Sequence, residues 1–138
     1  MNVAFFLKPK SEVCYLQDHL PLARALDELR RSGYASVPVI SREGNYMGAV
    51  SEGDFLRALA QTDGEHLRLT DAGAAEALCV RDILNPNRNP SCHIDEPAES
   101  LVSRTTGQNY VPIVDDRGVF IGIVTRRNVI RYFLERIK

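Results

Sequence analysis

Positive charge is not in excess in this 138-residue chain: 17 lysines and arginines face 18 aspartates and glutamates, a net charge of −1. A nucleic-acid footprint needs a basic face, so no nucleic acid is expected as a partner. Cysteine is scarce as well. Cys14, Cys79 and Cys92 are odd in number, far apart and without a C-x-x-C pair. That pattern speaks against a disulfide framework or a zinc cluster and fits reduced thiols in the cytoplasm. His19, His66 and His93 stand at no ligand spacing to one another or to the cysteines, so no metal is expected. The opening stretch, Met1 to Lys8, has no basic start, and its apolar run is too short for a signal peptide or a membrane span. No Ser-His-Asp set and no P-loop is visible, so neither catalysis nor a cofactor is expected.

What the chain does have is a sentence said twice. Gly48-Ala49-Val50-Ser51-Glu52-Gly53-Asp54 returns as Gly122-Ile123-Val124-Thr125-Arg126-Arg127-Asn128. Gly48 and Gly122, Ser51 and Thr125, Pro38 and Pro112, and Gly33 and Gly107 all stand 74 residues apart. Upstream the offset drifts to 75 for Leu26 and Leu101 and to 77 for Pro9 and Pro86. Two divergent repeats are therefore expected, residues 1–60 and 80–138, joined by a polar, alanine-rich connection over 61–79.

Each repeat reads the same way. Val3 to Lys8 and Val80 to Leu84 predict short helices stopped by Pro9 and Pro86. Val13–Leu16 predicts a first strand, and so does the stretch Ser91–Ile94. Asp18 to Pro21 offers helix-start chemistry, Leu22, Ala25, Leu26 and Leu29 follow at helical spacing, and Gly33 suits the C-cap. Val37–Ile40 and Tyr46–Val50 predict a hairpin turned at Arg42 to Asn45, matched by Tyr110–Val114 and Val119–Val124 around Asp115 to Gly118. Ser51 opens a helix with Phe55, Leu56 and Leu59; the last helix is expected to bury Val129, Ile130, Phe133, Leu134 and Ile137. The expected fold class is α+β: two tandem βαββα repeats packed as one pseudo-symmetric module.

A tandem G-h-x-[ST]-x-x-[DN], each copy after a hairpin with a proline in its first strand, resembles the CBS domain pair, or Bateman module, over nearly the whole chain. With His93-Ile94-Asp95 and Thr125-Arg126-Arg127, it is also similar to stand-alone firmicute-type CBS regulators, some of which bind cyclic-di-AMP. The resemblance implies adenine-containing ligands (AMP, ADP, ATP or cyclic-di-AMP) held in two clefts between the halves. One cleft would use Ser51 and Asp54, with base contacts from Pro90, Ser91, Asn109 and Tyr110. The other would use Thr125, Arg126, Arg127 and Asn128, with Val13, Cys14, Tyr34, Ala35 and Ser36 around the base. It also implies a homodimer with helices packed face to face and, as no effector domain is visible, a separate effector protein.

Chemistry supports those roles. A carboxylate at Asp54 can accept both hydroxyls of a ribose cis-diol, whereas Asn128 accepts only through its amide oxygen. Arg126 and Arg127 offer forked donors for phosphate at a helix start. Glu52 and Gly53 put no cation at the equivalent place, so the two ends should differ. Plainer readings stand beside these. Ser51-x-x-Asp54 and Thr125-x-x-Asn128 also read as helix N-caps that need no ligand, and Tyr34 as a packed core aromatic. Cys14 reads as a small buried apolar group beside the base. The function expected is non-catalytic regulation by an adenine nucleotide; the alternative is a scaffold that mediates dimerisation or protein interaction without a ligand.

Overall fold

The computed structural model describes residues 2–137, the side chains of Gln61 and Asp63 excepted; Met1 and Lys138, the outer bounds of the expected repeats, lie outside that range. In chain order the elements are β1 (Lys8–Pro9), β2 (Leu16–Gln17), α1 (Leu22–Ser32), β3 (Ser36–Ile40), β4 (Tyr46–Ser51), α2 (Glu52–Leu59), β5 (Ala60–Asp63), β6 (His66–Leu69) and α3 (Ala72–Glu76). They continue with β7 (Cys92–His93), α4 (Ala98–Gly107), β8 (Tyr110–Val114), β9 (Phe120–Thr125) and α5 (Arg126–Ile137). The βαββα order is therefore present in both repeats. Single 3-10 turns at Val3–Phe6 and Val80–Asp82 stand where short helices were expected.

Two compact units result, and they do not follow the repeats in sequence. The first holds residues Cys14–Arg42 and Met47–Arg88; the second holds Met1–Val13, Glu43–Tyr46 and Asn89–Lys138. In the first unit β2 runs parallel to β3, which neighbours β4. Leu22, Ala25 and Leu29 line one face of α1 and meet Leu16, Val37, Val39, Val50 and Phe55 in a closed core. That is the burial a stripe at three- and four-residue spacing is built for. Gly33, at φ +75°, closes the helix, a conformation that costs glycine little. Asp18 does not cap it: Pro21 stands at the N-cap with no side-chain bond.

In the second unit the sheet order is β1-β9-β8-β7, with β7 parallel to β8 and β8 antiparallel to β9. Val111, Ile113, Val124, Leu101 and Val129 form its core with Cys92. The Cys92 thiol donates to the Glu96 carboxylate at 3.0 Å; burial first, and that acceptor's charge, push its pKa up to about 12.

The exchange of leaders explains the unit boundaries. Val3 and Phe6, in the segment that opens the first repeat, are buried in the second unit's core, and β1 pairs antiparallel with β9, Lys8 opposite Ile123 and Pro9 opposite Gly122. Val80, which opens the second repeat, is buried in the first unit, and Asn85 exchanges both backbone bonds with Ala49, at 2.9 and 3.2 Å. Gly48 and Gly122 make those approaches possible. A methyl group on Gly48 would lie 2.6 Å from the Asn85 carbonyl oxygen, and one on Gly122 would collide with the Lys8 carbonyl. The drifting offset of Pro9 and Pro86 belongs to these exchanged segments.

One expectation needs correction, and one stretch holds more than composition showed. The polar, alanine-rich connection contains a hairpin, β5 pairing with β6 from Ala60–Leu69 to Asp63–His66, before the short α3. In α5 only Val129 is buried; Ile130, Phe133, Leu134 and Ile137 remain largely exposed because nothing within their unit lies over that face. With Val102, Thr105, Thr106 and Arg126 they line an apolar groove of about 540 Å³ between α4 and α5. The matching groove between α1 and α2 is smaller, about 410 Å³, and is flanked by Ala75 and Glu76 of α3. No helix among the described residues is long and apolar enough to cross a membrane.

Candidate functional site

The two copies of the motif become two strand-to-helix turns, one in each unit. In the first unit β4 delivers Ser51 to the N-cap of α2. Its hydroxyl accepts the Asp54 amide at 3.3 Å, and the Asp54 carboxylate accepts the Ser51 amide at 2.9 Å, a reciprocal capping box. The plainer capping reading of this pair is thus realised. The Glu52 amide donates to the Ala35 carbonyl at 3.1 Å, which sets Ala35 and Ser36, at the start of β3, beside the turn. The resemblance grouped Ala35 and Ser36 with the other repeat's hydroxyl; within this unit they lie against Ser51. The Ser36 hydroxyl oxygen is buried with no hydrogen-bond partner among the described residues. Tyr34 is 54% exposed, which overturns its reading as a core aromatic. Cys14 packs against the core partly buried, and burial raises its thiol pKa despite a hydrogen bond with Ser32.

Asp54 is the charged centre of this turn. It is 7% exposed, and its carboxylate is held by the Arg57 guanidinium, one helical turn on, and by both terminal nitrogens of Arg88. Burial alone would raise its pKa; the Arg88 and Ser51 hydrogen bonds, the Arg88 charge and the Arg57 bond outweigh that and hold it below the usual carboxylate value. The expectation of no cation here is therefore corrected. The motif's own positions, Glu52 and Gly53, do lack one, but the leader of the second repeat brings Arg88 in. Sequence reasoning missed Arg88 because 34 residues separate it from Asp54 and no motif contains it. Its only trace was the Asn85-Pro86 leader whose offset differed from the rest.

In the second unit β9 delivers Thr125 to the start of α5, where its hydroxyl accepts the Asn128 amide at 3.1 Å. Thr125 pairs with Tyr110 across β8 and β9, and the Arg126 amide donates to the Asn109 carbonyl at 2.8 Å. So Asn109 and Tyr110 sit beside Thr125 of their own repeat. The Pro90 and Ser91 carbonyls accept from Arg104, and the Tyr110 carbonyl accepts from Asn89 and Gln108. Arg126 turns its Nε–H onto the Thr105 carbonyl at 2.7 Å and lines the α4–α5 groove. Arg127 is exposed and has no ion-pair partner among the described residues. Val13, half-buried, belongs to this unit as its last leader residue.

One further cluster lies at the surface of the second unit. His93, Asp95 and Asp116 offer ligand atoms within 4.8 Å of one another, a grouping the histidine spacing did not show. Both ring nitrogens are already engaged, Nδ1 accepting the Asp95 amide at 3.0 Å and Nε2 facing Asp116 Oδ1 at 2.6 Å. A metal ion would have to break one of those bonds.

Comparison with known proteins follows the same lines. The CBS domain family profile matches residues 7–61 and 80–135. The chain is 24% identical over 137 residues to the cyclic di-AMP receptor B of Bacillus subtilis, covering 99% of this chain and 89% of that protein. It is 29% identical over 123 residues to the A-adding tRNA nucleotidyltransferase of Aquifex aeolicus, of whose length it spans only 13%. Among solved structures, the CbpB protein of Listeria monocytogenes in complex with c-di-AMP shares the fold with a TM-score of 0.82 and 27% identity, over 98% of this chain and 96% of that one. Two βαββα repeats, each entering its last helix through a strand-to-helix turn that carries a hydroxyl, and a profile matched twice along the sequence have one reading: this chain belongs to the CBS domain family.

Proposed function

We propose that the protein is a non-catalytic regulatory module that binds an adenine nucleotide, AMP, ADP, ATP or cyclic-di-AMP, and passes its state to a separate protein. The observation that carries this is the pair of strand-to-helix turns, each placing a hydroxyl, an acid or amide, and an arginine around a helix start, where phosphate is favoured. Near end-to-end similarity to a cyclic di-AMP receptor supports the ligand class. The candidate site residues remain Ser51, Asp54, Tyr34, Ala35, Ser36, Val13 and Cys14 with Pro90, Ser91, Asn109, Tyr110, Thr125, Arg126, Arg127 and Asn128. The module works as a homodimer through the apolar face of α5, whose exposed side chains need a second copy to cover them. Three free thiols fit the cytoplasm.

Calorimetry and thermal shift with AMP, ADP, ATP and cyclic-di-AMP, against GMP and GTP, test this reading. A ligand at 100 times its dissociation constant should stabilise the fold by about 2.7 kcal/mol. Failure of every adenine compound to bind below millimolar concentration refutes it. The second reading, a scaffold without a ligand, is favoured by one observation: Asp54 is already surrounded by donors. The same screen decides between the two.

A further inference from the structure

We infer that Arg88 and a ribose diol are alternative occupants of Asp54, and that Arg88, once displaced, becomes the phosphate partner of the nucleotide that displaced it. This rests on the nucleotide-binding reading above and adds to it a residue that selects the ligand.

A carboxylate has about four lone-pair positions. At Asp54 all four are taken: Oδ2 accepts the Ser51 amide and one Arg88 nitrogen, and Oδ1 accepts Arg57 and the other Arg88 nitrogen. A diol that is to lie across both oxygens must evict something. The Ser51 amide is fixed by the backbone at the cap of α2. Arg57, 68% exposed on its side chain, touches one oxygen only. The Arg88 fork spans both oxygens, as a vicinal diol would, since each presents two parallel donors to one carboxylate. Fork and diol therefore exclude each other.

The displaced guanidinium does not simply leave. Arg88 is 27% exposed on its side chain, and its backbone is tied down: its amide donates to the Asn85 carbonyl at 3.3 Å, and Asn85 is bonded to Ala49 in β4. A tethered, half-buried cation beside the start of α2 needs an anion, and Glu52 is exposed on the helix that follows. A nucleotide carries both parts, a diol for Asp54 and a phosphate for Arg88. The class selected at this turn is thus a nucleoside 5′-phosphate with free 2′ and 3′ hydroxyls. A cyclic dinucleotide, whose 3′-oxygens are esterified, lacks the diol that trades places with the fork. The equivalent turn in the second unit has Asn128 for the acid and carries its cations on α5 itself, so no such exchange operates there.

The experiment is calorimetry of AMP and adenosine binding to the full chain, wild type against Arg88→Ala and Arg88→Lys, with circular dichroism and thermal midpoints confirming that each variant folds. Removing the fork frees Asp54 for any diol, so adenosine should bind Arg88→Ala more tightly than it binds the wild type. The phosphate contact is lost at the same time, so the preference for AMP over adenosine should fall roughly 10- to 150-fold. Arg88→Lys keeps a charge without the fork; adenosine should again tighten while part of the preference for AMP survives. Adenosine affinity unchanged or weakened in both folded variants, with AMP still bound by the wild type, overturns the exchange alone. An unchanged AMP preference overturns the phosphate role. Binding of neither compound by any of the three proteins overturns the nucleotide reading itself, and the exchange with it.

Discussion

The two hydroxyl-bearing turns differ most in where their arginines come from. At Thr125 they belong to the motif, and Arg127 stands exposed at the first turn of α5. At Ser51 the motif supplies an acid and a glycine, and the cation arrives on the leader of the other repeat as Arg88. The residue 77 positions before Arg88, at the register of the two leader prolines, is Ser11, so the first leader carries no arginine to match it. Similar turns thus hold unequal chemistry: one keeps an exposed cation and a neutral amide, the other a neutralised acid.

Assembly gives the widest contrast between the units. Phe133→Asp with Ile130→Asp places two charges on the exposed α5 face and is expected to turn a dimer into a monomer, halving the mass seen by light scattering. Leu59→Asp, at the equivalent place in the groove flanked by α3, should leave the mass unchanged. A wild-type monomer at micromolar concentration, with and without nucleotide, would refute the dimer. Next in size are the glycines, where the units should behave alike. Gly122→Ala and Gly48→Ala each drive a methyl group into a leader's backbone and should cost about 3 kcal/mol in urea unfolding.

Affinity then separates the turns. Arg127→Ala is expected to weaken AMP roughly 10- to 150-fold and leave adenosine nearly unchanged. Raising salt should shrink the loss, because Arg127 is exposed. Asp54→Ala should instead weaken adenosine and AMP together with little dependence on salt. Equal losses for both ligands in both variants would erase the distinction. The smallest effect is on acid stability. The Asp54 pKa is lowered in the folded protein, so its contribution is complete above the ordinary value of 3.8 and is lost as pH falls through the lower folded value. Asp54→Asn should flatten stability across that window, whereas Asn128→Ala should not change its slope with pH.

Much of the architecture could be read from side-chain spacing. Leu22, Ala25 and Leu29 announce α1, Gly33 its end, and Ser51 the cap of α2, because each acts on its own few neighbours. The features without a local signal depend on distant partners. The pairing of Lys8 with Ile123 leaves no local signal except the offset of 77. The β5–β6 hairpin shows no burial pattern, since Leu67 and Leu69 are both exposed, and alternation is informative only when one face is covered. The α5 stripe predicts burial that the structure does not show, because periodicity reveals an apolar face without saying whether the same chain covers it. At the site, the capping pair could be read and Arg88 could not, since an ion pair across 34 residues has no spacing rule.

The exchanged leaders also limit how the gene could be divided. A break within residues 61–79, where the sequence repeats part, leaves Val3 and β1 on a different fragment from β9, and Val80 and Asn85 on a different fragment from Ala49. Each fragment then carries a glycine shaped for a leader that the other one holds. Such halves are complementing fragments: co-expressed, they can restore both pairings, while alone one lacks the edge strand β1 and the other the segment that bridges to Ala49. A circular permutant opened in the same stretch keeps every pairing within one polypeptide, provided its new linker lets both leaders reach their strands.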